Sequence, residues 1–280
     1  VKSVTHRSLR VSLLLWVLLP LASAGCVWVA PRSAVPPLNR KQVETVIESF
    51  KDQERAVQTL FASGRLTLES QDAQSDAEIL VVARRDPSAL RIEITHAWGQ
   101  PLFHICLQGG RLDVVSFPEK RHYEGRLDNP RIIKRLPFPF HAEAIWSIAR
   151  GYPILPSYHQ ARSTKGRQIV LTDKADAVVQ VIDLYPDALL PQKVWMRREG
   201  IALRFSGFEE VSGILHAKQI QWADDEQRIL LAIEFRERVF NRALPEGIFQ
   251  QQAPDFEEIP LEAIGSLEPA MSAKASGPLS

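Results

Sequence analysis

Residues 89–115 read "ALRIEITHAWGQPLFHICLQGGRLDVV", and their period of two decides the fold class. Leu90, Ile92 and Ile94 alternate with Arg91, Glu93 and Thr95, so an extended strand here has one apolar and one polar face. Phe103, Ile105 and Leu107 repeat the pattern after a loop at Trp98-Gly99. Leu112 and Val114 repeat it again after Gly109-Gly110. Adjacent glycines between alternating runs supply the positive φ angles of a tight hairpin turn. The stretch predicts consecutive antiparallel strands that share one buried face.

Outward from this core the same rhythm continues. Upstream lie "GRLTLES", with Leu66 and Leu68 on one face, and the more uniformly apolar "AEILVVARR". Downstream lie "RQIVLTD", "AVVQVIDLYP", "PQKVWMRREG", "IALRFSGFEEV", "ILHAKQIQWADD" and "QRILLAIEFRERVFN", most of them bounded by Gly, Pro or Asp. Two stretches have helical spacing instead. In residues 39–61, Val43, Val46, Ile47, Phe50, Val57, Leu60 and Phe61 recur at threes and fours, with Asn39 as N-cap and Gly64 closing the pattern. His141 to Arg150 forms a short second helix inside a proline-rich segment, with Ala144, Ile145, Ile148 and Ala149 as its apolar stripe. The result is a mainly β chain with helices (α+β): one domain, a curved antiparallel sheet of about eleven strands with helices on its concave face.

The first 26 residues have another character. Lys2, Arg7 and Arg10 form a basic head, and the apolar run Val11–Leu21 is shorter than the ~20 residues needed to cross a bilayer. Ala22-Ser23-Ala24-Gly25 then precede Cys26. That order is the pattern of a secretory signal peptide over residues 1–25. The exit resembles the lipobox of bacterial lipoproteins, which implies acylation of Cys26; a plain cleaved leader with an incidental cysteine is the alternative. With Val27 rather than Asp after the cysteine, the resemblance implies lipid anchoring in the outer membrane, facing the periplasm. Residues 26–39 read as a Pro-rich tether, 40–260 as the folded domain and 261–280 as a disordered tail.

Composition excludes some functions. Without the leader's three basic residues, 31 basic and 33 acidic residues remain, a net charge of −2 and no basis for a nucleic-acid partner. With Cys26 acylated, Cys106 is the sole remaining cysteine, so no intramolecular disulfide forms; its apolar surroundings predict burial. The seven histidines are scattered without a metal-ligand spacing, and no G-x-S-x-G elbow or phosphate-binding glycine loop occurs. Neither a cofactor nor a metal is expected.

The lipobox and amphipathic helix, "ALRIEITHAWGQPLFHICLQGGRLDVV", "FPEKRHYEG" with the helix ending "ARGYPI", and the closing "RALPEGIFQQQAP" together resemble the LolA/LolB-like superfamily of lipoprotein carriers and acceptors, nearest to its LolB branch. The likeness spans residues 40–260. It implies an incomplete β-barrel closed by helices around an apolar cavity for acyl chains, with lipoproteins or related lipids as cargo, a periplasmic carrier as possible donor, and no catalysis. The protein would act as a monomer. In "THAWGQPL", Trp98 stands where the family has an exposed membrane-contacting residue; it could dip into a membrane or tuck over the rim.

By strand parity, the candidates for the cavity are Leu66, Leu68, Leu90, Ile92, Ile94, Phe103, Ile105, Leu107, Leu112 and Val114, joined by Ile145 and Ile148 from the second helix. The same residues can form an ordinary dry core, and parity does not separate the two. A filled sheet that docks envelope partners is the alternative function, and a hydrolase assembled from distant strands is a third.

Overall fold

The computed structural model describes residues 35–69, 74–127, 142–197, 200–223, 229–251 and 254–263. The leader, Cys26, most of the tether and the tail from 264 lie outside the described residues. Contacts divide the chain at Pro36/Pro37, and the unit from Pro37 onward holds every element named below.

Helix α1 runs Arg40–Arg55. Asn39 caps it: its side chain accepts from the Gln42 N–H while the Gln42 side chain accepts from the Asn39 N–H. Its buried stripe is Val43, Val46, Ile47 and Phe50. The helix stops before the spacing does. Val57 is buried beyond its end, and Leu60 and Phe61 belong to a strand, β1 (Thr59–Glu69). They recur at helical intervals, but β1 finds β2 (Gln74–Arg84) on one side and β13 (Ile229–Phe240) on the other, and two ladders outweigh a local spacing.

Gly64 is therefore no helix terminator. It sits in mid-strand, where an added Cβ would lie 2.8 Å from the Phe235 Cα. Only glycine admits the neighbouring backbone that closely. At this point β13 carries one extra residue, Arg236, between the partners of Ser63 and Gly64. The bulge shifts β13's parity, so Phe235 and Arg238, rather than Phe235 and Glu237, turn toward the core.

The remaining elements are β3 (Ala89–Thr95), β4 (Pro101–Gln108), β5 (Arg111–Ser116), β6 (Arg121–Arg126), α2 (Ala142–Arg150), β7 (Gln160–Arg162), β8 (Gln168–Thr172), β9 (Val178–Leu184), β10 (Pro191–Met196), β11 (Ile201–Val211), β12 (Ile214–Ala223) and β14 (Glu257–Pro260). They make one sheet of fourteen strands, in the order β14-β6-β5-β4-β3-β2-β1-β13-β12-β11-β10-β9-β8-β7. The expected count of about eleven is thus corrected to fourteen. β7 and β14, of three and four residues, are too short for alternation to show, and β6, with the sequence RHYEGR, lacks an apolar alternation. The sheet is open and curled, antiparallel except where β14 joins β6 in parallel.

Inward residues line up in rows across the sheet. One row runs Leu68, Leu231, Trp222, Leu203, Val194, Ile182, Ile169 from β1 to β8. Another runs Ala62, Val81, Ile92, Ile105, Val114, Tyr123 from β1 to β6. A single core joins both arms of the sheet to the two helices.

After β13 the chain crosses the outer face. Cys106 Sγ donates to Phe249 O at 2.8 Å and Arg91 Nη1 to Ile248 O at 3.0 Å. Phe249 packs there with Val82, Ala89 and Cys106. Residues 254–263 then bring β14 beside β6, and Leu261, placed in the tail by the sequence reading, is fully buried in a 3₁₀ turn.

Candidate functional site

The ten residues chosen by strand parity and the two from the helix come together. Leu66, Leu90, Ile94, Phe103, Ile105, Leu107, Leu112, Val114, Ile145 and Ile148 belong to the core, and Leu68 and Ile92 pack against it half-buried. Within that core the two arms differ. On the β8–β12 arm, Ile169, Leu171, Ile182, Leu203, Phe205 and Ile220 are all 0% exposed. On the β1–β6 arm, Leu90, Ile94, Ile105 and Leu107 retain 6–9%, as do Ile145 and Ile148 of α2 at 8–9%. This slight under-coverage lies along β2–β4 and α2, while Leu112 and Val114 of the same arm are 0–2% exposed and Trp222 and Met196 of the other keep 4–7%.

Local sequence explains where it lies. Across the β1–β2 ladder small inward residues face large ones, Leu60 with Ala83, Ala62 with Val81, Gly64 with Ile79 and Leu66 with Ala77, and α2 contacts these two strands. Small residues admit the helix, while the larger side chains of β3 and β4 beside it stay incompletely covered. The closed arm carries Phe205 and Trp222 at inward positions. On its side α1 reaches β7: the Leu38 N–H donates to Ser163 Oγ at 3.0 Å.

The two helices meet the sheet at a split in it. Strands β12 and β13 pair only from Gln219 to Ala223. Toward Gly213 the freed edge of β12 is satisfied by other groups. The Gln53 amide from α1 accepts from Leu215 N–H at 2.9 Å and donates to Gly213 O at 3.2 Å. Gly151 O accepts from Ala217 N–H at 2.7 Å, and the Arg238 guanidinium donates to Ala217 O. Gly151, at φ +74°, closes α2: its N–H donates to Ile148 O at 3.1 Å and the Tyr152 N–H to Ser147 O at 3.2 Å. Arg150, the last residue of α2, donates to Gln53 O.

Burial dominates the electrostatics here. It lowers the Arg150 pKa to about 10 and that of Arg238 to about 9, and raises Tyr152 to about 12. His216, buried next to this seam, is lowered by burial and then by Arg238. On the outer face, burial raises the Cys106 thiol to about 11, in keeping with the packing expected of it.

Trp98 is exposed, at 77%, on a turn closed by His96 N–H donating to Gln100 O at 2.7 Å, and it stacks on His96 at 3.9 Å between ring centroids. The sequence reading missed one cluster with ligand-type side chains. Asp113, His122 and Glu124 converge on the outer face of β5 and β6, where Asp113 pairs in register with Glu124. Arg111 already bridges the two carboxylates, 2.6 Å from Glu124 and 3.4 Å from Asp113, so a guanidinium fills the place of a cation. The seam arginines were missed as well. The glycine inside β1 was the available signal, because it marks a bulge and therefore a parity shift.

No family model and no curated protein sequence matches the chain. Several solved structures resemble it in fold. A DUF1329 family protein from Desulfovibrio piger is 13% identical, with a TM-score of 0.49, over 75% of this chain and 97% of that one. A LolA superfamily protein from Nitrosomonas europaea is 13% identical, with a TM-score of 0.48, over 75% and 97%. A putative outer membrane lipoprotein-sorting protein domain from Vibrio parahaemolyticus is 13% identical, with a TM-score of 0.41, over 76% and 97%. Of these three, the Nitrosomonas europaea protein is the one described as of the LolA superfamily, and LolB is not named among them.

Proposed function

We propose that this chain binds the acyl chains of lipids or lipoproteins in a hollow between α2 and β2–β4. In this reading Cys26 anchors it to the periplasmic face of the outer membrane, and it accepts or carries lipoprotein cargo there. The observation that carries the proposal is the difference between Ile169, Ile182 and Leu203, fully buried on the β8–β12 arm, and Leu90, Ile94 and Ile105 on the β1–β6 arm, which keep 6–9%. Transfer of an acyl chain into such a space is favoured by roughly 0.8 kcal/mol per buried CH₂ and needs no catalytic group. Exposed Trp98, beside the β3–β4 turn, is suited to a membrane interface, where an indole ring is stable.

The test is to produce the chain from residue 27, whose compact unit starts at Pro37, without detergent, and to examine it by native mass spectrometry with lipid extraction. Acyl-bearing molecules at near-stoichiometric levels are expected. A lipid-free protein that also takes up no fluorescent fatty acid would overturn the binding role and leave the sheet as a docking surface.

A further inference from the structure

We infer that Arg150 and Arg238 form a buried anion-binding site at the end of α2, which takes the carboxylate or phosphate group of an acyl-bearing ligand. The inference rests on the hollow being the acyl-binding site and adds the polar end of the ligand.

Arg150 is 0% exposed and Arg238 8% exposed. Each gives one N–H to a backbone carbonyl, Gln53 O and Ala217 O respectively. The Nε and Nη1 of Arg150, and the Nε and Nη2 of Arg238, are buried with no partner among the described residues. A guanidinium removed from water is costly unless an anion and hydrogen bonds compensate it. The surrounding carboxylates do not provide that. Glu54 is engaged by Arg85 at 2.7 Å, and Glu209 lies exposed on β11. Arg150 thus shares Glu54 with Arg85, and Arg238 has the exposed Glu209.

Proton loss does not resolve the imbalance either, since both groups titrate near 9–10 and stay charged at neutral pH. His216, whose pKa is lowered, contributes no negative charge.

The arginines are also held in fixed orientations. Arg238 lies over the Phe235 ring at 3.8 Å and Arg150 over the Tyr152 ring at 4.8 Å, so aromatic faces cover the guanidinium planes and leave N–H edges free. Gly151 lets Arg238 pack directly against the end of α2, since an added Cβ would come 2.7 Å from Arg238 Nη2. A planar fork with free edges suits carboxylate and phosphate oxygens. Ile145, on the accessible side of α2, lies about 8 Å from Arg150 along the helix axis. Arg150 points to the other side of the helix, so an amphiphile held along Ile145 and Ile148 reaches it by passing round the C-terminal end of α2.

The experiment compares laurate with 1-dodecanol, which shares the tail and lacks the charge, and adds inorganic phosphate alone. Binding is measured by displacement of a fluorescent fatty alcohol, and phosphate is scored by its effect on thermal unfolding at constant ionic strength. We expect laurate to bind about tenfold tighter than dodecanol. The Arg150→Met/Arg238→Met double variant should lose that preference and keep dodecanol affinity, because apolar replacement of buried charge is often tolerated.

Equal affinity for laurate and dodecanol in the unaltered protein would overturn the anion site and leave the acyl-binding reading intact. If neither amphiphile binds while phosphate raises the unfolding temperature of the unaltered protein but not of the Arg238→Lys variant, the anion site stands and the acyl reading falls. If phosphate has no effect either, both fall. The first comparison uses the unaltered protein, so a variant that does not fold leaves the decision unchanged.

Discussion

The β8–β12 arm and the β1–β6 arm alternate apolar and polar residues in the same way, yet Leu90, Ile94 and Ile105 of the second are less fully covered than Ile169, Ile182 and Leu203 of the first. The difference lies in size and cover rather than pattern. Phe205 and Trp222 fill the inside of the first arm, whereas on β1 and β2 of the second each large inward residue faces a small one, as Val81 faces Ala62 and Ile79 faces Gly64. The helices differ too: α1 has sixteen residues and α2 nine. At ~1.5 Å per residue, α2 is too short to cover several large side chains on β3 and β4. Alternation thus fixes which residues face inward, while the sizes of their neighbours decide whether the interior is core or hollow.

The sharpest way to break this comparison is at the joint between the arms. Gly64→Val would drive a side chain into the β13 backbone, and an expected loss of ~3 kcal/mol or more should appear as a large fall in the urea midpoint. A variant as stable as the parent would mean that the bulge is not needed.

Next come matched truncations in the two arms. Leu203→Ala should cost ~2–5 kcal/mol, as in other sealed cores. Ile105→Ala, beside the hollow, should cost about 1–2 kcal/mol, because water or ligand can occupy part of the space left. Equal losses in chemical denaturation would remove the distinction between the arms.

A smaller effect tests the strap on the outer face. Folding raises the Cys106 pKa to about 11 from an ordinary value near 9, so the folded state holds its proton longer. Stability from this group is complete below pH 9 and falls as pH rises from 9 to 11. Cys106→Val should remove that part of the slope, seen as a flatter urea midpoint against pH than in the parent. The smallest stability change is expected for Trp98→Ser, within about 0.5 kcal/mol, given the exposure of the ring. Its effect should appear instead as weaker binding to vesicles of phosphatidylethanolamine and phosphatidylglycerol, measured by sedimentation. An unchanged partition would assign Trp98 no membrane role.

Much of the fold could be read from parity. The twelve inward residues, the Gly109-Gly110 turn, the Asn39 cap and the end of α2 at Arg150 follow from rules that act within a few residues. What escaped depends on partners distant in sequence. Val57, Leu60 and Phe61 continue a helical spacing, and only pairing with β2 and β13 reveals Leu60 and Phe61 as strand residues. Arg238 sits in "EFRERVF", where unbroken alternation after Phe235 puts Glu237 inside; one extra residue opposite Gly64 reverses that. Arg150 reads as a solvated helix end until the split beside β12 takes it in. The hollow itself is a difference in exposure among residues of the same type, and no local pattern encodes it.

The strand order has a consequence for how the molecule is made. Strands β1 to β6 follow one another as neighbours, and so do β7 to β13, but the ladder that unites the arms pairs Leu66 with Ile233. That contact cannot form until nearly the whole chain is present, and β14 must then find β6 across the outer face. Such separations slow folding, because loop closure precedes any gain from pairing. During synthesis, β1 therefore waits as an unpaired edge with apolar residues on one face. A chain cut short before β13 would keep that edge for good, and an open strand edge is where intermolecular β-sheet growth begins.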